Sequence, residues 1–480
     1  MTNKLGKNII LILSDDQGYW SLGCYGNKEV ISPNIDSLAR NGVLFKDFYC
    51  VSPVCSPARA SILTGKIPSA HGVHDWIEDG TDERKAVEYM SDLSSYVNIL
   101  SNNGYNCGLS GKWHLGNSKI PQFGFKHWFA HQSGGGPYYG APMYRDGKLY
   151  HEEKYITDVI TDDAIDFIED NKNNRFYLHI GYTAPHAPWL NNHPKEFTDL
   201  YKDCEFNSVP ELTYDNYNKD SVYLTKEVLK DVRSNLIGYY SAITAMDFNI
   251  GRIIDKLKEN ELLDDTVVIF SSDNGFSCGH NGFWGKGNAT FPLNLYEESV
   301  KVPFIISHGG MIKNKVVDQP ASAYDIRQTI LELANLDDEK IDKLPGKSII
   351  PIINGFKNNE PIVVFDEYGP NRMIRYNDYK LIKCYPYGEN KLFDLKEDPY
   401  ENHNLYNEKK YKNIKDIMNV ILEDWFLKNS ESWKNGISLN VYGSGQIGKL
   451  DKNKNNEDNF LLDDYIKDTQ YYKRMNEKDD

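Results

Sequence analysis

Polar side chains that could bind a cation follow two strongly apolar segments of the chain. Asp15 and Asp16 come directly after an apolar run near the N-terminus, and Asp273 and Asn274 directly after another one past the middle. Open parallel α/β sheets bind their ligands at the carboxyl ends of the strands. Neighbouring strand ends would bring together three carboxylates and one amide oxygen, and such oxygen ligands suit a hard cation, Ca²⁺ or Mg²⁺.

A cysteine that could act as a nucleophile opens a distinctive segment. Cys55-Ser56-Pro57-Ala58-Arg59 leads into Leu63-Thr64-Gly65. Pro57 suits a first helical turn and Gly65 a helix end, so the pattern predicts a short helix. On a purely structural interpretation Cys55 is a small buried side chain. As a thiolate it could attack an electrophile.

Four further residues could bind an anion or move a proton. Lys112 and His114 stand two positions apart and would share one side of an extended backbone. His186 lies in a loop between two prolines, which would hold its imidazole rigidly. Lys286 lies between glycines, where its ammonium could reach a bound anion. A lone histidine is more often a hydrogen-bonding residue of the interior, so each of these signals is modest alone.

The elements that must position these residues alternate along the chain between strands and helices, which predicts an α/β fold with a large, mainly parallel or mixed sheet flanked by helices. Continuous apolar runs predict buried central strands at Asn8–Ser14, Arg175–Tyr182, Thr266–Ser272 and Val302–His308. Apolar stripes with helical spacing run from Ile156 to Ile168 and from Leu236 to Leu257.

The pattern changes near Pro351. Short strands separated by turn residues follow, and then a helix from about Tyr411 to Leu427. We therefore predict a catalytic domain over residues 1–355 and a smaller C-terminal α+β subdomain over residues 356–480, with an antiparallel sheet, a helix and a charged tail.

The amino-acid composition indicates which partners and which cellular compartment to expect. A net charge of −15 over 480 residues argues against nucleic-acid binding, and no run approaches the length of a membrane span. The seven cysteines are scattered, with no Cys-x-x-Cys pair, as in proteins of a reducing compartment. The apolar run near the N-terminus is shorter than a signal-peptide core. We expect a cytoplasmic protein.

Taken together, these motifs match one family in order, spacing and residue type. The chain resembles the type I sulfatases of the alkaline phosphatase superfamily, whose signature is the Cys55–Arg59 segment followed by Leu63-Thr64-Gly65. The resemblance extends from about Asn8 to at least Leu405 and so covers most of the chain.

The resemblance implies that Cys55 is converted to Cα-formylglycine, whose hydrate is a geminal diol. We expect a radical-SAM maturase to make this change in the cytoplasm. The family's single metal, most commonly Ca²⁺ and here with Mg²⁺ as the alternative, would be held by residue 55 together with Asp15, Asp16, Asp273 and Asn274.

The resemblance also implies a role for each remaining residue. Arg59, Lys112 and Lys286 would offset the negative charge of the sulfate group. His186, with Lys286, would protonate the departing alkoxide. His114 would deprotonate the second hydroxyl of residue 55, so that C–O cleavage expels sulfate and restores the aldehyde.

The substrate is the least determined part of the prediction. A sulfated sugar or an aryl sulfate is expected, with Gln132 or Ser133 as a sulfate contact. Candidate sugar-facing residues are Trp76, His131, Tyr138, Tyr139 and Trp189. Two alternatives remain open: a phosphonate monoester or phosphodiester hydrolase of the same fold, and an unmodified protein that binds sulfated glycans without turnover.

Overall fold

A large mixed sheet with helices on both faces forms the body of the protein in a computed structural model, as the alternating sequence pattern predicted. The structure describes residues 6–78, 86–337, 344–356, 363–386 and 388–476. The strands are β1 Asn8–Ser14, β2 Gly42–Tyr49, β3 Asn106–Lys112, β4 His127–His131, β5 Ala141–Arg145, β6 Lys148–Glu152, β7 Phe176–Gly181, β8 Thr266–Ser272, β9 Ser277–Cys278, β10 Trp284–Gly285, β11 Lys301–His308, β12 Lys315–Val317, β13 Ala321–Ser322, β14 Val363–Tyr368, β15 Asn371–Tyr376, β16 Tyr379–Cys384 and β17 Lys391–Asp394.

The α-helices connect these strands and cover the sheet. They are α1 Pro33–Arg40, α2 Cys55–Thr64, α3 Pro68–His71, α4 Tyr96–Asn102, α5 Ile156–Asn171, α6 Lys195–Thr198, α7 Tyr223–Val228, α8 Val232–Glu259, α9 Glu297–Val300, α10 Ile326–Leu333, α11 Ile350–Ile353, α12 Lys412–Asn429, α13 Asp464–Lys467 and α14 Gln470–Asn476. None of the helices in the described ranges is long and apolar enough to cross a bilayer.

Eleven strands form the large sheet, in the order β12-β2-β11-β8-β1-β7-β3-β4-β5-β6, with β13 paired to β2. Strands β8, β1, β7, β3 and β4 run parallel to one another. Strand β11 is antiparallel to both of its neighbours, so the run at Val302–His308 is a buried central strand but not a parallel one.

The central strands carry continuous apolar runs because the sheet is buried on both faces. Ile9, Leu11 and Leu13 of β1 pack into one hydrophobic core, whereas Ile10 and Ile12 pack into the other. Helices α5 and α8, predicted from their apolar stripes, cover the second of these faces.

The C-terminal part forms a separate antiparallel sheet in the order β14-β15-β16-β17, as predicted, and α12 packs against it. Apolar residues of this sheet and of α12 belong to the same hydrophobic core as Ile9, Leu11 and Leu13. Our division of the chain near residue 355 stays a prediction.

Candidate active site

The predicted metal-binding residues meet at the carboxyl ends of β1 and β8, which are adjacent and parallel with Ser14 opposite Ser272. The Asp16 backbone N–H donates to Asp273 Oδ1 at 3.3 Å, and Asn274 Nδ2 donates to Asp16 Oδ1 at 2.8 Å. Asp16 has a left-handed backbone with φ of 61°, which turns the chain sharply after β1. The register of two parallel strands thus unites residues about 260 positions apart in sequence.

Each carboxylate of this group is paired with a buried cation. Lys112 Nζ lies 2.5 Å from Asp15 Oδ2, and Arg59 Nε lies 2.8 Å from Asp273 Oδ2. Lys286 Nζ lies 2.5 Å from Asp16 Oδ1. Burial of these six charges is tolerable only because each has a close partner of opposite sign.

Cys55 is the first residue of α2 and is only 2 % exposed. Pro57 therefore lies inside the first helical turn, where its missing N–H removes no helical hydrogen bond, and Gly65 ends the helix with φ of 70°. Lys286 Nζ lies 2.9 Å from Cys55 Sγ. Burial raises the pKa of the Cys55 thiol to about 11, although Lys112 and Lys286 act in the opposite direction, so the unmodified thiol is a weak nucleophile at neutral pH.

The donor set fits a hard divalent cation. Asp15, Asp16, Cys55 and His186 each offer one ligand atom, and these four atoms lie within 4.8 Å of one another. Asp15 Oδ1 and Asn274 Oδ1 are buried and have no hydrogen-bond partner among the described residues. Free carboxylate and amide oxygens beside other carboxylates are the ligands that Ca²⁺ or Mg²⁺ would take. Asp273 is more fully engaged, since Arg59 takes one oxygen and backbone N–H groups take the other.

The pKa values of the ionisable groups in the site are shifted in different directions. Burial would raise the pKa of Asp16, but Lys286 and His186 outweigh it and lower the pKa to about 2. Burial raises the pKa of Asp15 against the opposing effect of Lys112. Burial, with Lys112 and Arg59 nearby, holds the pKa of His114 well below its usual value, so this imidazole is neutral at neutral pH.

The two histidines are seated against a run of glycines. His114 has φ of 56°, so the chain turns after Lys112, and the extended backbone on which these two side chains would share one side is not formed. His114 Nε2 and the backbone oxygen of Ile77 are 3.0 Å apart. A Cβ on Gly134 would lie 2.0 Å from His114 Cε1, and a Cβ on Gly135 2.8 Å from His186 Cε1. The Ser-Gly-Gly-Gly run is the sequence signal that could have revealed this contact.

A cavity of about 400 Å³ opens above Cys55. Its lining residues are Cys55, Trp76, Ile77, Glu78, His114, Ser133, Gly134, Gly135, His186, Lys286 and Asn288. Of the six predicted catalytic residues, Cys55, His114, His186 and Lys286 thus line the cavity, whereas Arg59 and Lys112 do not line it and pair with Asp273 and Asp15. Of the two predicted sulfate contacts, Ser133 lines the cavity and Gln132 does not.

Some of the proposed sugar-facing residues have structural positions instead. Tyr138, Trp189 and His131 are all buried. Tyr138 donates to the backbone oxygen of His186, and Trp189 Nε1 donates to that of Pro185, so both brace the loop that carries His186. Assigning these three residues to the sugar was wrong, whereas Trp76 does line the cavity. Asn288 and Glu78 were missed, because single polar residues carry no distinctive pattern.

Comparison with known proteins finds matches over most of the chain. The family model described as Sulfatase matches residues 7–336, and the model for the N-sulphoglucosamine sulphohydrolase C-terminal region matches residues 291–427. The chain belongs to the sulfatase family. Members of this family hydrolyse sulfate esters, and we conclude that the protein is a sulfuric ester hydrolase.

Relatives of this sulfatase include proteins of different named specificity. It is 30% identical to a choline-sulfatase of Rhizobium meliloti, over 83% of this chain and 82% of the relative. It is 28% identical to an N-acetylglucosamine-6-O-sulfatase of Bacteroides thetaiotaomicron, over 87% and 86% of the two chains. A solved structure in complex with its substrate D-glucosamine-2-N,6-O-disulfate superposes with a TM-score of 0.76 at 25% identity, covering 88% of this chain and 98% of the other.

Proposed function

We propose that this sulfatase removes sulfate from a sugar, with residue 55 as formylglycine and one divalent cation, Ca²⁺, at the adjoining carboxylates. The observation that carries the proposal is the position of Cys55 on the cavity lining, beside Lys286 and with its Sγ within 4.8 Å of a carboxylate oxygen of Asp15 and of Asp16. Relatives named for N-acetylglucosamine 6-sulfate and glucosamine disulfate support a sugar substrate.

The modified residue and the metal would supply chemistry that the encoded side chains lack. A hydrated aldehyde offers one hydroxyl to attack sulfur and a second whose deprotonation releases sulfate, so no ester remains for water to cleave. Asp15, Asp16, Asp273 and Asn274 would hold the cation, which lowers the pKa of a bound hydroxyl and orients it.

The chain's own cations stabilise the charge of the substrate. A sulfate ester carries negative oxygens that repel an anionic nucleophile, so positive charge beside them lowers the barrier. Lys286 lines the cavity and can contact a sulfate oxygen directly. Arg59 and Lys112 act through the carboxylates with which they pair, because they hold Asp273 and Asp15 in place.

The two histidines transfer protons in different steps of the reaction. His186 lines the cavity with its Nε2 3.6 Å from Asp16 Oδ2, where a protonated imidazole can donate to the departing alkoxide. His114 Nδ1 is buried without a hydrogen-bond partner in the described ranges, which leaves it free to accept a proton from residue 55. His114 Nε2 lies beside the Ile77 oxygen, and this contact fixes the ring.

The role of His186 predicts a dependence on the leaving group. We expect His186→Ala to lower kcat/KM for N-acetylglucosamine 6-sulfate by roughly 10²- to 10⁴-fold, since a sugar alkoxide leaves only with a proton. For 4-nitrophenyl sulfate, whose phenolate leaves unaided, the loss should be far smaller. Steady-state kinetics of the two esters, with the exposed His403→Ala as control, measure the difference. Equal losses on both esters would contradict the assignment.

Maturation and compartment form part of the same proposal. We place the conversion of Cys55 in the cytoplasm, by a radical-SAM maturase. All seven cysteines are free thiols in the structure, as suits a reducing compartment, and this supports the placement.

A phosphonate or phosphodiester activity would be revealed by comparing kcat/KM for matched sulfate and phosphorus esters, and we expect the sulfate ester to be preferred.

A further inference from the structure

We propose that the segment Val441–Gln446, here called the C-terminal strap, positions Trp76 and Asn288 as the wall that receives the alcohol part of the substrate. This inference rests on the proposed function, because it assigns the leaving-group side of the same cavity. The strap lies beyond residue 427, where the match to the C-terminal family model ends.

One carbonyl of the strap holds both wall residues. Trp76 Nε1 donates to the Gly443 oxygen at 3.1 Å, and Asn288 Nδ2 donates to the same oxygen at 3.0 Å. Trp76 and Asn288 both line the cavity above Cys55, although they are separated by more than two hundred residues in sequence. Their spacing across the wall is therefore set by a single acceptor on a third segment.

The close approach of the strap requires glycine at two positions. Gly443 has φ of 84°, and a Cβ there would lie 2.8 Å from Asn288 Cβ. Gly445 has φ of 119°, and a Cβ there would lie 3.1 Å from Trp76 Cζ2. A Cβ at either position would push the strap away from the indole and the amide, because it would lie too close to Trp76 or Asn288. Both backbone conformations also favour glycine.

Gln446 fixes the strap to the loop that carries Trp76. Its backbone N–H donates to the Trp76 oxygen at 2.7 Å, and the Glu78 N–H donates to the Gln446 oxygen at 3.2 Å. Its side chain accepts from the His74 N–H at 2.8 Å and donates to the Gly72 oxygen at 3.1 Å. Gln446 is fully buried, so these bonds are shielded from water and define one position of the loop.

Asp75 completes the anchorage from the opposite side. Its Oδ1 accepts from the Tyr368 hydroxyl at 2.7 Å and from the Trp76 N–H at 2.9 Å, and its Oδ2 accepts from the Gly445 N–H at 3.2 Å. Tyr368 is the last residue of β14. The Trp76 loop, the strap and the C-terminal sheet are thus joined at one buried carboxylate.

The wall residues are held by a different segment from the groups that would bind the sulfate. Lys286 contacts Asp16 and Cys55, and His186 contacts Asp16, whereas Trp76 and Asn288 contact the strap. An indole face beside an amide suits a sugar, since the ring packs on C–H groups and the amide bonds hydroxyls. Gln446 and Asp75 are accordingly positioning residues for substrate selection.

The test compares ester binding with the binding of inorganic sulfate. We expect Gln446→Ala to raise KM for N-acetylglucosamine 6-sulfate about tenfold, with kcat changed less than about threefold, because a loosened wall weakens contacts outside the reacting group. The inhibition constant of inorganic sulfate should stay unchanged. Asn456→Ala is the matched control, since that amide bonds Asp451 and Asn459 within the same C-terminal region.

A second variant guards against a folding defect. Trp76→Phe keeps an aromatic ring but removes the N–H that Gly443 accepts, so we expect the same rise in KM with the thermal midpoint preserved. A parallel change in KM and in sulfate inhibition, or no change in KM for either variant, would overturn the proposal.

The assays are repeated with 4-nitrophenyl sulfate. Turnover of the aryl ester alone would refute the sugar substrate, and the strap would then be judged by KM for the aryl ester, whose leaving group would contact the same wall.

Discussion

Replacing Cys55 with alanine is expected to abolish sulfate ester hydrolysis while leaving the fold intact. The variant removes the residue that would become the nucleophile, and loss of a catalytic nucleophile costs on the order of 10⁴- to 10⁶-fold in kcat. Alanine fits the first turn of α2, and Lys286 keeps its partner Asp16. The measurement is the kcat for 4-nitrophenyl sulfate together with the thermal midpoint of unfolding.

A matched control separates the nucleophile from the general effect of deleting a buried thiol. Cys107 is also buried, in β3 between the backbone oxygens of Val97 and Tyr105. We expect Cys107→Ala to lower the thermal midpoint by as much as Cys55→Ala or more, with kcat preserved. Residual activity of Cys55→Ala near that of Cys107→Ala would refute the role of residue 55.

The second large effect concerns the metal. We expect Asp15→Asn to lose bound cation and to lower kcat/KM by roughly 10²-fold or more, because the variant removes one negative charge and alters the free oxygen at the site. Metal content is measured by elemental mass spectrometry, and activity is measured before and after addition of Ca²⁺.

The control must account for the cation that loses its partner. Asp15→Asn leaves Lys112 buried beside a neutral amide, so the stability falls as well as the metal affinity. Asp163 is likewise buried and paired, with His127 and Arg145, and lies outside the cavity lining. Asp163→Asn should lower the thermal midpoint but keep both metal and kcat. An Asp15→Asn protein with full metal content would contradict the ligand assignment.

Much of the site was predictable because it is built at strand ends. The apolar runs of β1 and β8 are buried on both faces, and this made the strands and the residues after them recognisable. The pairing of Lys112, Arg59 and Lys286 with three different carboxylates was not predictable, since it depends on how β3, α2 and the loop after β10 approach the sheet.

Contacts between distant segments could not be predicted from local patterns. The strap meets Trp76 across more than 360 residues, and neither Gly443 nor Gln446 differs in type from glycines and glutamines of ordinary loops. Aromatic residues were misassigned for a related reason. Tyr138 and Trp189 have both an apolar ring and a polar atom, and burial against neighbouring rings satisfies both as well as a sugar would.

The most direct test of the central claim is the mass of the peptide that contains residue 55, taken from active protein made together with a maturase. We expect the mass of an aldehyde in place of the thiol, an adduct with a hydrazine probe, and a specific activity that rises in proportion to the converted fraction. A preparation that hydrolyses sulfate esters at full rate while every copy of residue 55 keeps its thiol would contradict it.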